Sequence, residues 1–224
     1  MGSKNKLKRF QENETFANVI QPTRDEVVNQ FPLKGKWHTH FKNDNPIVLE
    51  LGCGKGEYSV ALAQKYPNKN FIGIDIKGAR FWRGAKTALE ENLTNVAFLR
   101  TQIELIDFLF DVNEVDEIWI TFPDPQIKYK RTKHRLTNEV FLNKYKSILK
   151  PSGVVNLKTD SEFLHGYTLG LLHGLGFEVQ YANHNVYHNS GAPADVTETQ
   201  TFYEKMFLEE KKPITYIRFS FDKK

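Results

Sequence analysis

Short apolar runs alternate with amphipathic stretches along the chain from residue 46 onward. The run PIVLEL at 46–51 ends at a glycine and suits a strand that is buried on both faces of a sheet. Further strands are predicted over 71–76, 95–100, 117–122 and 154–159, and helices over 58–66, 78–93, 103–110, 139–150 (capped by Asn138) and 161–175. Alternating units of this kind predict an α/β fold, in which a parallel sheet carries helices on both faces.

The last part of the chain departs from this alternation. A strand over 177–182 is followed by a polar loop, a helix near 198–211 and a long strand over 214–221. A final strand that follows its neighbour through such a connection is most simply antiparallel. The pattern therefore predicts a doubly wound, seven-stranded sheet that is mostly parallel with an antiparallel last strand. Without a linker or repeat in the pattern, we expect one domain over 21–224, preceded by a basic arm over 1–20 that is flexible without a partner.

Composition narrows the class of protein. The 224 residues are enough for a substantial core. No apolar run in the sequence reaches the roughly 18 residues that a membrane helix needs, and the N-terminal MGSKNKLKRF lacks the apolar segment of a signal peptide. The single cysteine, Cys53, excludes an internal disulfide and is typical of a reducing cytoplasm. We therefore expect a cytoplasmic protein without a membrane segment.

The charges are clustered, although the net charge of +4 is modest. Cations concentrate over 4–9 and again over 128–135, whereas acids concentrate over 104–117. One charge run by itself is more often a solvated face. Two runs next to a strand-end site indicate that a polyanion binds there.

A glycine loop follows the first predicted strand directly. Gly52, Gly54 and Gly56 lie in VLELGCGKGEY, where backbone can approach a ligand closely. Glu50 precedes the first glycine, and Asp75 lies at the end of the second strand. A carboxylate at that place can accept both hydroxyl groups of a ribose.

Two ligands with a ribose could use this loop. The dinucleotide fingerprint places its third glycine one position later, where Glu57 stands. A phosphate beside Glu50 and Glu57 would also meet unfavourable charge. A ligand with an ammonium and a sulfonium group and no phosphate suits an acid-rimmed loop better, so the pattern favours S-adenosylmethionine over a dinucleotide.

The stretch EIWITFPDPQIKYKRTKHR, residues 117–135, carries the second candidate site. Asp124 stands between two prolines at the end of the fourth strand, beside the first strand, where it should face the methyl group of the donor. Aspartate also favours turns, so a solvated turn residue is the alternative. The loop lacks the aromatic residue of Asp/Asn-Pro-Pro-aromatic motifs, which argues against methylation of an exocyclic amine.

At this point the sequence closely resembles the bacterial tRNA (guanine-N7-)-methyltransferase family, from about residue 46 to the end. The motifs that carry the resemblance are LELGCGKG, FIGIDI, FPDP with the basic run after it, KTD at 158–160 and TFYE at 201–204. The chain departs from the family pattern at Gln126, where a tryptophan is usual, and at Gln102, where an acid or asparagine is usual.

The resemblance implies a class I methyltransferase fold and S-adenosylmethionine as cofactor. It also implies tRNA as the partner, methylated at N7 of guanosine 46 in the variable loop. The implied donor-site residues are Glu50, Asp75, Gln102 and Asp124, together with the loop glycines, and Asp124 is the catalytic candidate. The implied nucleotide contacts are Lys128, Asp160, Thr201, Phe202, Tyr203 and Glu204, with Asp160 and Glu204 as alternatives for reading the guanine edge. Lys130, Arg131, Lys133 and Arg135 would hold RNA phosphates, which position RNA without reading its sequence.

The residue chemistry agrees with this assignment. N7 of guanine has an in-plane lone pair and no proton, so the site needs alignment and electrostatics rather than a general base. Cys53, between glycines and without a neighbouring base, is expected to pack, and the scattered histidines give no zinc ligand pattern. A small-molecule methyltransferase and an RNA-binding protein with a vestigial donor site remain alternatives, and the chain is expected to be a monomer or a homodimer.

Overall fold

The computed structural model describes residues 3–188 and 191–223, and eight strands among them form one sheet in the order β1-β4-β3-β2-β5-β6-β8-β7. The strands are Val19–Ile20 (β1), Ile47–Leu51 (β2), Asn70–Ile74 (β3), Val96–Leu99 (β4), Val115–Thr121 (β5), Leu149–Thr159 (β6), Phe177–Asn183 (β7) and Thr215–Lys223 (β8). The α-helices are Ser3–Thr15 (α1), Arg24–Gln30 (α2), Trp37–Phe41 (α3), Glu57–Lys65 (α4), Gly78–Glu90 (α5), Ile106–Leu109 (α6), Glu139–Ile148 (α7), Glu162–Leu175 (α8), Ala194–Glu198 (α9) and Phe202–Glu209 (α10). Two 3-10 helices span Ile103–Leu105 and Tyr129–His134.

Two apolar cores, one on each face of the sheet, bury the central strands completely. In β2, Val48 packs into one core with Trp119 of β5, whereas the next residue, Leu49, packs into the opposite core with Ile118. All four side chains are at most 3% exposed. Burying a side chain of this size stabilises the fold by about 1.5–3 kcal/mol, so both faces of each strand contribute. The continuous apolar runs therefore read correctly as strands buried on both faces.

The pairing of the strands confirms the predicted fold class. Strand β2 pairs in parallel with β3 on one side and with β5 on the other, and β5 pairs in parallel with β6. Strand β8 lies antiparallel between β6 and β7. Because the chain winds outward in both directions from β2, the loops after β2 and β5 separate at the carboxyl edge of the sheet. That divergence creates a crevice for a ligand.

An eighth strand and helix α1 come from the segment predicted to be an arm. The two-residue strand β1 pairs in parallel with β4, which brings the sheet to eight strands where seven were predicted. Helix α1 lies on α5: the buried Asn13 donates from Nδ2 to the carbonyl oxygen of Gly78 at 2.9 Å, and Trp82 Nε1 donates to Glu12 at 2.5 Å. Residues 1 and 2 of the arm lie outside the described residues. The division into a flexible arm and a domain over 21–224 stays a prediction.

Several predicted elements differ in their bounds because capping and pairing override the apolar pattern. The helix near 198–211 is two helices, α9 and α10, because the side chain of Thr201 accepts from Glu204 N and starts a new helix. The helix predicted to reach Lys150 ends at Ile148, since Leu149 already pairs with Val115 in the sheet. The predicted cap Asn138 is confirmed, and its side chain accepts from Phe141 N at 3.0 Å.

Candidate active site at the carboxyl edge of the sheet

The glycine loop turns sharply between β2 and α4. Gly52, Gly54 and Gly56 have φ values of 74°, 56° and 75°, a region that other residues rarely adopt. The backbone N–H groups of Gly52 and Cys53 donate to the carbonyl oxygen of Ile74, which ties the loop to the end of β3. A Cβ atom on Gly56 would overlap the ring of Phe98. Glycine is therefore required at position 56 both by the backbone conformation and by close packing.

Asp75 fixes the loop from the end of β3. The residue is 8% exposed; its Oδ2 accepts from Gly54 N at 3.1 Å and its Oδ1 accepts from Lys77 N at 2.7 Å. Each carboxylate oxygen keeps a second lone pair for a ligand hydroxyl. Asp75 therefore lies at the end of β3, as the sequence pattern predicted, and its contact with a ribose stays a prediction.

Glu50 is buried beneath the same loop. Its Oε2 accepts from Ser59 N at 2.9 Å and from Ser59 Oγ at 2.5 Å, and its Oε1 accepts from Thr121 Oγ1 at 2.7 Å. Burial raises the pKa of this carboxyl to about 7, against the opposing effect of the three hydrogen bonds. Ser59 and Thr121 were missed from the sequence, since nothing in a serine inside a helix signals a contact with a strand.

Asp124 is exposed in the loop that follows β5. Its Oδ2 accepts from Gln126 Nε2 at 3.0 Å. Phe122 and Gln126 on either side have positive φ values of 48° and 47°. Such values are unusual for non-glycine residues and cost energy that the surrounding structure must offset. The loop thus exposes the carboxylate at the carboxyl edge of the sheet, after the strand that pairs with β2.

Arg135 holds the Asp124 loop rather than lying free for RNA. The residue is 5% exposed, and its guanidinium donates to the carbonyl oxygens of Gln126 and Ile127 at 3.2 Å. The same group lies over the rings of Phe163 and Tyr167. This burial contradicts the exposed position that the predicted phosphate contact required, because the group is held by backbone and aromatic partners inside the fold.

The other predicted phosphate contacts remain at the surface. Lys128, Lys130, Arg131 and Lys133 are exposed in and beside the 3-10 helix Tyr129–His134, and Tyr129 is 92% exposed. This segment, which we term the basic loop (residues 128–133), presents its cations to solvent on the Asp124 side of the sheet.

A buried ion pair connects β6 to the TFYE segment. Lys158 Nζ lies 2.7 Å from Glu204 Oε1, both side chains are fully buried, and the same Nζ donates to the carbonyl oxygen of Thr199 at 3.1 Å. Tyr187 also donates to Glu204 at 2.7 Å. Burial lowers the pKa of Lys158. Glu204 therefore lies inside the fold, which contradicts the prediction of a direct nucleotide contact, because its carboxylate already has a cation and a phenol as partners.

The remaining predicted nucleotide contacts lie at or near the surface. Phe202 and Tyr203 are 47% and 41% exposed, with Lys55 Nζ 3.4 Å from the centre of the Phe202 ring. Thr201 is buried as the cap of α10. Asp160 is half-buried, and burial raises its pKa. Gln102, a predicted donor contact, is exposed and accepts from Arg24 Nη1 at 2.8 Å.

A cleft of about 920 Å³ opens beside the glycine loop, between α1, α5 and α10. Gly54, Ile76 and Tyr203 are among its lining residues. Its basic lining residues are Lys6, Arg9, Lys55, Lys77, Arg80, Arg83 and Arg100, and among the described lining residues Glu57 is the one acid. The expectation of an acid-rimmed loop is therefore wrong for this cleft: Glu50 and Asp75 are buried and are not among its described lining residues. The basic face of GARFWRGAK was the signal that could have revealed this.

Two findings concern other kinds of site. Across residues 3–188 and 191–223, no helix combines the length and apolar content that a membrane crossing requires. Within the same ranges, no cluster of three or more His, Cys, Asp or Glu side chains could hold a metal ion. Cys53 is buried as predicted, and burial raises the pKa of its thiol.

Known proteins resemble this chain in sequence and in fold. A family model described as "Putative methyltransferase" matches residues 44–217. The chain is similar to the tRNA (guanine-N(7)-)-methyltransferase of Christiangramia forsetii, with 72% identity over 98% of this chain and 99% of that protein. It is 47% identical to the enzyme of the same name from Bacteroides fragilis, over 96% of this chain and 85% of that protein. The solved structure of the 16S rRNA methyltransferase KamB shares the fold, with a TM-score of 0.64 and 12% identity over 84% of this chain and 93% of that chain.

Proposed function

This chain belongs to the tRNA (guanine-N(7)-)-methyltransferase family, and we propose that it methylates N7 of guanosine 46 in the variable loop of tRNA. The observation that carries this proposal is the placement of Asp124. Its carboxylate is exposed at the end of β5, beside the glycine loop at the end of β2. A negative charge is thus held where a purine that gains a methyl group also gains positive charge.

The residues present fit S-adenosylmethionine as the methyl donor. Asp75 is a buried carboxylate with free lone pairs, and it accepts from the backbone N–H of Gly54, which borders the cleft. Ile76 is 51% exposed and offers an apolar surface for an adenine ring. When bound, the donor supplies an electrophilic methyl group on a sulfonium. The loop glycines, Glu50 and Asp75 hold and orient it.

Methyl transfer to N7 of guanine requires no proton transfer by the protein. N7 of guanine has a lone pair and no proton to lose, so no general base is required. Alignment of the reacting atoms and stabilisation of the developing charge account for the catalysis. Asp124 supplies the charge, and Arg135 keeps its loop in place through the carbonyl groups of Gln126 and Ile127.

Recognition of guanine rests on the residues that remain accessible. Asp160 is half-buried at the end of β6 and can accept from the N1–H and 2-amino groups, which adenine does not offer together. Phe202 and Tyr203 provide exposed rings for stacking. The buried carboxylate of Glu204 pairs with Lys158 and so anchors α10, which carries Phe202 and Tyr203, to β6. Lys128, Lys130, Arg131 and Lys133 of the basic loop would hold phosphates of the tRNA.

We also propose that the protein acts in the cytoplasm, as a monomer or a homodimer. Its single, buried cysteine supports a reducing compartment.

The test of the proposed function is methyl transfer from labelled S-adenosylmethionine to an unmodified tRNA transcript. Borohydride and aniline then cleave the RNA wherever guanine carries a methyl group at N7. We expect cleavage at guanosine 46 and its loss when that base is replaced by adenosine. Labelling without cleavage would refute N7 as the target atom. Donor binding without any labelling of tRNA would favour a small-molecule methyltransferase instead.

The raised pKa of Glu50 predicts that donor affinity depends on pH. The ionised carboxylate attracts the ammonium group of the donor, and this form prevails above the folded pKa of about 7. Affinity should therefore rise about fivefold from about pH 6 to about pH 7, a range that lies below the α-amino pKa of roughly 7.7–8.0, so most of the donor's amino groups stay protonated. Equilibrium dialysis at several pH values measures this change. In Glu50→Gln the dependence should disappear; equal pH profiles for both proteins would remove Glu50 from the donor site.

A further inference from the structure

The outer rim of the donor cleft carries cations that the donor does not explain. Lys6, Lys77, Arg80, Arg83 and Arg100 line the cleft and are exposed. Within the described part of the chain, none of the five lies in an ion pair with a carboxylate. S-adenosylmethionine carries two positive groups and a single carboxylate. Several cations without a carboxylate partner at its entrance, of which Arg100 donates to the carbonyl oxygen of Ile76, therefore indicate another anionic ligand.

The cations around the cleft lie on the same edge of the sheet as the basic loop, the predicted RNA contact. Helix α5 begins just after β3, and the basic loop follows β5, with β2 between the two strands. Neighbouring strands lie about 4.8 Å apart, so the ends of β3 and β5 are separated by about 10 Å. Both cationic surfaces thus lie on the carboxyl edge of the sheet, on either side of the glycine loop. A single polyanion can reach both of them.

The surface between the two is also suited to RNA. Lys55 lies over the ring of Phe202, and Tyr203 lines the cleft beside it. Exposed aromatic rings between cations are typical of surfaces that bind unpaired nucleotides, because bases stack on the rings while cations hold the backbone. Arg80 and Arg83 are three residues apart in the first turns of α5, so both project from the same side of the helix.

We propose that Lys77, Arg80 and Arg83, which we term the α5 rim, form a second phosphate-binding surface for the tRNA substrate. The RNA backbone spans from the basic loop across the glycine loop to the α5 rim and covers the mouth of the donor cleft. This assignment rests on the proposed function, because tRNA is the polyanion that it names. It gives the protein two separate contacts with phosphates, one on each side of the methyl-transfer site.

The test compares three paired alanine variants of the full chain. Arg80→Ala with Arg83→Ala removes two of the three cations of the α5 rim, and Lys130→Ala with Arg131→Ala removes part of the basic loop. Lys36→Ala with Lys146→Ala is the matched control, since both lysines are exposed on elements that lie before β2 and β6, at the opposite edge of the sheet. Alanine favours helix, so the α5 substitutions should leave the fold intact. Circular dichroism checks this for each variant.

Binding of tRNA is measured between about 50 and 200 mM salt, with donor affinity measured separately. Each phosphate contact contributes about 0.7–0.9 to the slope of log affinity against log salt. We expect each of the first two pairs to flatten the slope by about 1.5 and to weaken tRNA binding about tenfold at low salt. The control should match the unmodified protein. Arg80→Lys with Arg83→Lys should keep most of the slope, because charge rather than shape holds a phosphate.

Three outcomes would overturn the inference. A salt slope equal to that of the control pair would show that the α5 rim does not touch RNA. A loss of donor affinity with unchanged tRNA affinity would assign the arginines to the donor instead. Equal losses in the lysine variants and the alanine variants would point to shape rather than charge. The cleavage assay tests the proposed function separately. If the unmodified protein fails to methylate tRNA in that assay, the proposed function is wrong, whatever the tRNA affinities of the variants.

Discussion

Replacing Asp124 with asparagine is expected to slow methyl transfer to tRNA by about 10²–10³-fold while changing tRNA affinity by less than about twofold. Methylation of N7 places a positive charge on the purine, and a carboxylate held in advance stabilises that charge without reorganisation. Asparagine keeps the size of the side chain and one oxygen for the loop contact with Gln126. The substitution therefore removes the charge with little change in shape. Single-turnover methylation with saturating tRNA measures the effect on the chemical step.

A matched substitution separates this effect from a general loss of charge. Asp44 is also an exposed loop residue, but it lies before β2, at the opposite edge of the sheet. Asp44→Asn should leave both the rate and the affinity unchanged. Equal losses of rate and tRNA affinity in Asp124→Asn would mean that Asp124 binds RNA rather than stabilising the reaction. An unchanged rate would make it a solvated turn residue.

Replacing Lys158 with methionine is expected to destabilise the protein by about 3–5 kcal/mol, because it leaves the buried carboxylate of Glu204 without its cation. For a chain of this length, such a loss lowers the melting temperature by roughly 10 °C. The pair lies between β6 and α10, so the same change should loosen the segment that presents Phe202 and Tyr203. Chemical denaturation measures the free energy of unfolding, and methylation kinetics report the effect on the site.

The double substitution Lys158→Met with Glu204→Gln tests the reason for that loss. With both charges removed, the uncompensated carboxylate disappears and Tyr187 keeps an acceptor, so most of the stability should return. Lys86→Met is the control, since Lys86 forms an exposed pair with Glu90 at 3.8 Å that should be worth less than about 0.5 kcal/mol. A double variant as unstable as Lys158→Met alone would show that packing, not charge, accounts for the effect.

Local signals in the sequence were sufficient for most of the fold. Buried strands such as β2 and β5 are continuous apolar runs in the sequence, and the capping residue Asn138 correctly predicted the start of α7. The predicted bounds of helices and strands were wrong where the apolar periodicity was weak. Strand β1 has two residues and owes its pairing to β4, and the start of α10 depended on the cap at Thr201. A short strand or a cap draws its stability from neighbours that a periodic pattern does not show.

The candidate site divides in the same way. The sequence by itself located the glycine loop, Asp75 and Asp124 at or just after the ends of strands, because strand ends and turns concern residues adjacent in the chain; their roles in methyl transfer stay predictions. It also determined the family, through the order of the motifs.

Only the tertiary structure decided which charges meet. Arg135 and Glu204 look like free ligands for RNA in the sequence, yet one is held by the loop at Gln126 and the other by Lys158. The cations of the α5 rim likewise border a cleft only because α1 and α5 pack together in the folded protein. The reason is physical: periodicity and turn chemistry act between near neighbours in the chain. Desolvation and charge pairing depend on distances between distant segments, and those distances exist only in the folded protein.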